Sequence, residues 1–257
     1  MEHVPQVLLA VLVSVGLVEV VHDPERPLPN ALLGALVLGP LVRFEGFALT
    51  VPALVLLAVL GHRRRAAIAA GLAFGGVGLF VLFLTLQGLG PVPAPLSLKA
   101  PGLRDPVVSG TLWANVLEAL ASRQGLLMIL LTLGLLGPLV DRDRPRNERL
   151  LAGWILAVVG LHLVFGKFGW FDRYEVYVWG AMLPQAAYLY RRSLVSWTRR
   201  AGAVPASLIV GLAAIIVSLP YVANIAKTPM ASNDIYIEQY QMHRFLTEYY
   251  QGAVGMN

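Results

Sequence analysis

The chain of 257 residues contains no cysteine, and only 14% of its residues are charged. Without thiols there is neither a disulfide framework nor a thiolate metal site. The charged fraction lies well below the roughly 25% of ordinary soluble domains. Also missing are a metal-ligand spacing, a P-loop, a dinucleotide fingerprint and a nucleophile elbow, which removes the chemistries that announce themselves by a short motif. No internal repeat or low-complexity tract is present, and the opening Met-Glu-His-Val has no basic signal-peptide stretch. What the chain does have is apolar surface: 57% of its residues are hydrophobic, above the roughly 45–50% of soluble domains. That balance predicts a membrane protein.

Eight apolar runs are separated by proline, glycine or charge: 4–21, 30–42, 47–61, 66–86, 125–140, 150–166, 174–190 and 204–226. Eight spans are therefore expected, in an all-α polytopic bundle. The runs at 30–42 and 47–61 are shorter than the roughly 17–25 residues of a spanning helix, so one long interrupted helix is an alternative for the pair. The net charge of +5 does not point to nucleic acid, because most basic residues sit in short loops. Arg63–Arg65, the arginines at 142, 144, 146 and 149, and those at 191, 192, 199 and 200 all fall on one side of an eight-span chain. The positive-inside rule makes that side cytoplasmic, together with His22–Pro29. Both termini are then external, as are the Arg43–Glu45 break, the loop 87–124 and the junction GKFGWFD. The localisation expected is the plasma (inner) membrane, multi-pass.

The loop 87–124 opens with a Gly/Pro-rich coil and continues with Leu112, Val116, Leu117 and Leu120 at helical spacing, which predicts an interfacial helix. After residue 226, Ile235, Met242, Phe245, Leu246 and Tyr249 share one side of a predicted amphipathic helix that stops at Gly252. The expected division is a membrane domain over 1–226 and the start of an extracytoplasmic C-terminal domain over 227–257.

The polar residues at the external side carry the functional question. Lys167, Asp172, Arg173 and Glu175 stand where a span begins. One reading makes them interfacial anchors beside an aromatic belt of Trp170 and Tyr174. Anchoring arginines are less expected outside, however, and a guanidinium is shaped to grip phosphate bidentately. Arg43 and Glu45 read either as a turn whose charges pair with each other or as a turn at a cavity mouth. Lys99 alone reads as a solvated loop lysine, His162 as a packing histidine within an apolar helix, and Glu2 and Glu19 as weak signals. Residue by residue, the reading ends at a polyanion-binding cavity on the external face.

Four stretches in this order, MEHVPQVLL, LVRFEGFAL, GLGPVPAPLSLKAPG and HLVFGKFGWFDRYEVY, resemble the later part of polytopic GT-C glycosyltransferases that use polyprenyl-phosphate sugars, among them bacterial cell-envelope mannosyl- and arabinosyltransferases. In the resemblance Glu2 matches the acid of a Gly-Met-Glu segment. Arg43 and Glu45 match an Arg-Pro-Glu-Gly turn with Phe44 in place of proline, and Lys99 matches a loop lysine. Arg173, Tyr174 and Glu175 match an Arg-Tyr-Glu helix start. Pro93-Ala94-Pro95 departs from the Leu-Pro-Asn of the pattern and removes its amide. The resemblance implies a lipid phosphate held by Arg173, Lys99 and Arg43, with Glu45, Tyr174, Glu175 and His162 orienting them. It implies a polyprenyl-phosphate sugar donor, an envelope glycan, lipid or protein acceptor, and direct displacement. It also puts the principal catalytic carboxylate upstream of Met1, with Glu2 a weak substitute, so that the chain alone is expected to be inactive. No cofactor is expected; some relatives use a divalent metal, but no ligand cluster stands here for one. The rival reading is a non-enzymatic membrane protein, a lipid-carrier or solute transporter or a truncated scaffold. The break at Arg43–Glu45 has no counterpart in a second half, which counts against a transporter built from repeats.

Overall fold

The computed structural model describes residues 3–88, 108–166, 175–201 and 203–249, and among them every regular element is helical. The helices are α1 (His3–His22), α2 (Asn30–Val42), α3 (Phe47–Val59), α4 (Arg63–Leu86), α5 (Val108–Ala121), α6 (Arg123–Val140), α7 (Arg146–Phe165), α8 (Val176–Leu189), α9 (Arg191–Ala201) and α10 (Ala203–Tyr249), with a 3-10 turn over Phe44–Gly46 between α2 and α3. The chain divides into two compact units, Met1–Leu194 and Val195–Asn257.

Four helices are long and apolar enough to cross a membrane among the described residues: Val4–His22, Arg63–Leu86, Arg123–Val140 and Arg146–Phe165. The remaining apolar runs behave differently. α2 and α3 have 13 residues each and α8 has 14, so each rises about 20 Å against a hydrocarbon core of roughly 30 Å. The last run does not end at residue 226. It continues without interruption into the expected tail helix, forming a single helix of 47 residues. Along its polar half, Met242, Phe245 and Tyr249 are exposed, and Arg244 holds Glu248 one turn on at 3.0 Å.

α2 and α3 fold back on each other as an antiparallel hairpin; they do not continue as one interrupted helix. Proline explains how they hold. Pro40 has no N–H to give to the carbonyl of Leu36, and the hydroxyl of Thr50 on α3 donates to that carbonyl instead at 3.1 Å. The same substitution recurs in α6, where Pro138 frees the carbonyl of Gly134 and the Tyr190 hydroxyl donates to it. In an apolar surrounding such freed carbonyls must find a donor on a neighbouring helix. Tight approach at the hairpin tip requires Gly46, because a Cβ there would collide with the backbone of Gly39 and Pro40.

α1 is the central staff of the first unit. It packs on α2 and, running parallel, on α8, with Ala10, Val13, Leu17 and Val20 buried. Inside that seam Ser14 donates to the Ala181 carbonyl at 2.8 Å, and Gln185 donates to the Ser14 carbonyl at 2.9 Å. α4 leans on α2 and α3 through Ala66, Ala69 and Ala73, its buried apolar residues. Small residues let helix backbones come close where no hydrophobic effect between helices is available. α5 bears out the helix expected after the Gly/Pro coil: Asn115 donates to the Val164 carbonyl at 2.8 Å, and Ser122 caps α6 by accepting from the Gly125 N–H at 2.9 Å.

Two ends of the bundle follow. At one, His22 meets the Tyr188 ring edge-on with centroids 6.3 Å apart, and Arg144 donates to the Leu189 carbonyl at 2.6 Å. These contacts gather the end of α1, the α6–α7 turn and the end of α8, the loops that the charge pattern assigns to one side. The other end carries Arg43–Glu45, Val164–Gly166 and Glu175–Tyr177.

Candidate functional site

The second end holds a cavity of about 300 Å³ whose wall includes Phe44, Glu45, Phe47, His162, Phe165 and Tyr177. Three sequence segments build it. The 3-10 turn after α2 delivers Glu45, the last turn of α7 delivers His162, and the first turn of α8 delivers Tyr177. His162 and Tyr177 are each 1% exposed, and the His162 Nδ1 lies 3.0 Å from the Tyr177 hydroxyl. Their rings meet edge-to-face with centroids 5.4 Å apart. Gly166 permits this placement of the imidazole, since a Cβ there would strike the His162 ring and carbonyl.

Arg43 and Glu45 form an ion pair, Nη2 to Oε1 at 2.8 Å, with side chains 7% and 26% exposed. This is the pairing that the simple turn reading expects. Each member of the pair also lines a cavity: Glu45 the one just described, and Arg43 a smaller one of about 110 Å³ beside Phe44, Val77 and Phe80. Glu175 is fully buried at the start of α8. The cavity wall is apolar and aromatic, and Glu45, His162 and Tyr177 are the polar side chains that line it.

Depth can be read from helix length. Arg43 follows the 13 residues of α2, and His162 stands in the last turn of the 20-residue α7. At 1.5 Å per residue both lie about 20–25 Å along their helices from the arginine-rich end.

The structure therefore brings together Arg43, Glu45, His162 and Glu175. Glu2, Lys99, Arg173 and Tyr174, with Lys167 and Asp172, lie outside the described residues. Tyr177 was not singled out from the sequence, although a second tyrosine in Arg-Tyr-Glu-Val-Tyr entering an apolar helix was the available signal. His162, which reads alone as a packing residue and by the resemblance as an orienting one, is buried and lines the cavity. Among the described residues no three His, Asp or Glu side chains gather as metal ligands.

A second polar cluster, at the arginine-rich end, was not anticipated as a cluster. Glu148 accepts from Arg191 at 2.6 Å and from Arg144 at 3.4 Å, while Arg144 also reaches Asp141 at 3.2 Å. The Arg191 guanidinium lies 4.0 Å from the Tyr188 ring centroid, a cation–π contact. This network fastens the α6–α7 turn to the end of α8. No family model, curated protein or solved structure matches the chain.

Proposed function

We propose that this chain forms part of a membrane glycosyltransferase of the GT-C type, which transfers a sugar from a polyprenyl-phosphate donor to an envelope glycan, lipid or protein. The observation that supports the reading is the cavity that joins Arg43–Glu45 to His162–Tyr177 near one end of an apolar bundle. On this reading the chain crosses the plasma membrane eight times with both termini outside, and the cavity opens toward the outer leaflet.

In the proposed reaction the acceptor oxygen attacks the anomeric carbon while the bond from that carbon to the phosphate oxygen breaks. The bonding pair departs on polyprenyl phosphate, and the acceptor proton passes to a carboxylate base. Arg43, with Lys99 and Arg173, holds the phosphate and offsets the charge that grows on it. Glu45 and Glu175 keep the cations oriented, and the His162–Tyr177 pair fixes the inner wall.

The test compares retention of polyprenyl phosphate and of the uncharged polyprenol by the purified chain in lipid nanodiscs. The phosphate form is expected to be held in preference. Arg43→Gln should weaken it by about tenfold or more, since a hydrogen bond to a charged group contributes about 1.5–3 kcal/mol. Arg173→Lys should weaken it while leaving expression and monodispersity intact, because an ammonium does not reproduce a bidentate grip. Equal retention of the two lipids would sink the reading. Movement of polyprenyl phosphate between the leaflets of vesicles carrying the protein would favour the lipid-carrier alternative.

A further inference from the structure

An apolar groove of about 600 Å³ runs between α3 and α7, from Val51 and Ala157 down to the arginine-rich end, where Arg146 and Arg149 stand over it. These two arginines differ from their neighbours. Arg144 and Arg191 are occupied by Glu148, Asp141 and main-chain carbonyls. Arg146 and Arg149 have no ion-pair partner among the described residues, and the Nε of Arg149 is buried without an acceptor. Buried donors are normally satisfied, so this nitrogen marks where an acceptor belongs. Groove length supplies the second argument. From Arg146 to Ala157 along α7 is about 16 Å, half of a core of roughly 30 Å. The groove is one leaflet deep.

We infer that this groove seats one acyl chain of an acidic phospholipid from the leaflet at the arginine-rich end, with its phosphodiester between Arg146 and Arg149. The hydrocarbon walls suit a lipid tail, and the paired guanidiniums suit a head group of net negative charge. A zwitterionic lipid brings an ammonium that both arginines repel. A second protein helix in the same groove would have to place a carboxylate at Arg149 to do as well.

The chain purified in detergent is mixed with dioleoyl phosphatidylglycerol or dioleoyl phosphatidylcholine, and lipid retention is read by native mass spectrometry alongside thermal unfolding. Phosphatidylglycerol is expected to be retained in preference and to raise the melting temperature. Arg146→Gln with Arg149→Gln should weaken its retention about thirtyfold, at about fivefold per arginine near a lipid head group. Gly153→Leu lines the same groove below the arginines and should abolish retention without changing charge, while millimolar inorganic phosphate should reproduce none of the stabilisation. Equal retention of the two lipids overturns the proposal, as does undiminished retention of phosphatidylglycerol by the double variant. A dimeric mass free of lipid overturns it too, by assigning the groove to a second copy. If Gly153→Leu fails to fold, the arginine variant decides the matter alone.

Discussion

At the scale of single residues, specific partners hold several of the polar groups inside the bundle. The His162–Tyr177 contact is the one on which the cavity wall depends. Tyr177→Phe removes the hydroxyl and takes away a partner of the imidazole, a change expected to cost about 1–3 kcal/mol. His162→Phe should cost a similar amount. The double replacement should cost less than the sum, because removing both partners leaves no stranded polar group; unfolding in detergent for all four proteins gives the coupling directly. Strict additivity would mean that the two residues do not act as a pair. Arg43 and Glu45 were legible in the sequence because charges interrupting an apolar run are costly and conspicuous. Tyr177 was not, because a tyrosine near a span end reads first as an interfacial anchor.

Among elements, the hairpin α2–α3 and the end brace show why helix periodicity alone did not reveal the packing. An apolar run carries the same period whether its helix continues through a break or turns back, and the choice here rests on the small backbone contact at Gly46 and on the Thr50 hydroxyl. The brace is a pairing of helix ends distant in sequence. Read along the chain, Arg144, Glu148 and Arg191 count only as loop charge. Glu148 is largely buried, with a side chain 7% exposed, between two guanidiniums. Glu148→Ala should therefore destabilise the first unit by about 1–3 kcal/mol, because the two arginines it strands are 20% and 32% exposed and keep other acceptors. Glu148→Asp, which keeps the charge on a shorter stem, should be intermediate. A thermal melt unchanged in Glu148→Ala would show that the brace contributes nothing and that water replaces it.

For the whole molecule, the helical character of the apolar runs was legible, and among the described residues four of the eight expected spans are long and apolar enough to cross a membrane. The runs at 4–21, 66–86, 125–140 and 150–166 became long helices near the expected bounds, since length and composition suffice for those. Short runs needed tertiary partners, which composition does not encode. The proposed orientation is tested by single cysteines, for which the cysteine-free chain is already suited. Arg64→Cys should resist an impermeant maleimide in intact cells, and Leu96→Cys should react; the reverse pattern would invert the topology. One consequence concerns how the assembly comes apart. α4 fully buries only the small residues Ala66, Ala69 and Ala73 and adds a stacked contact of Phe74 on Phe47 with centroids 5.1 Å apart, while its own backbone hydrogen bonds are internal to the helix. Such a helix can detach whole, remaining a helix in the bilayer. Under a pulling force or a harsh detergent α4 is expected to leave before the α2–α3 hairpin opens, with the Thr50–Leu36 clasp still shut.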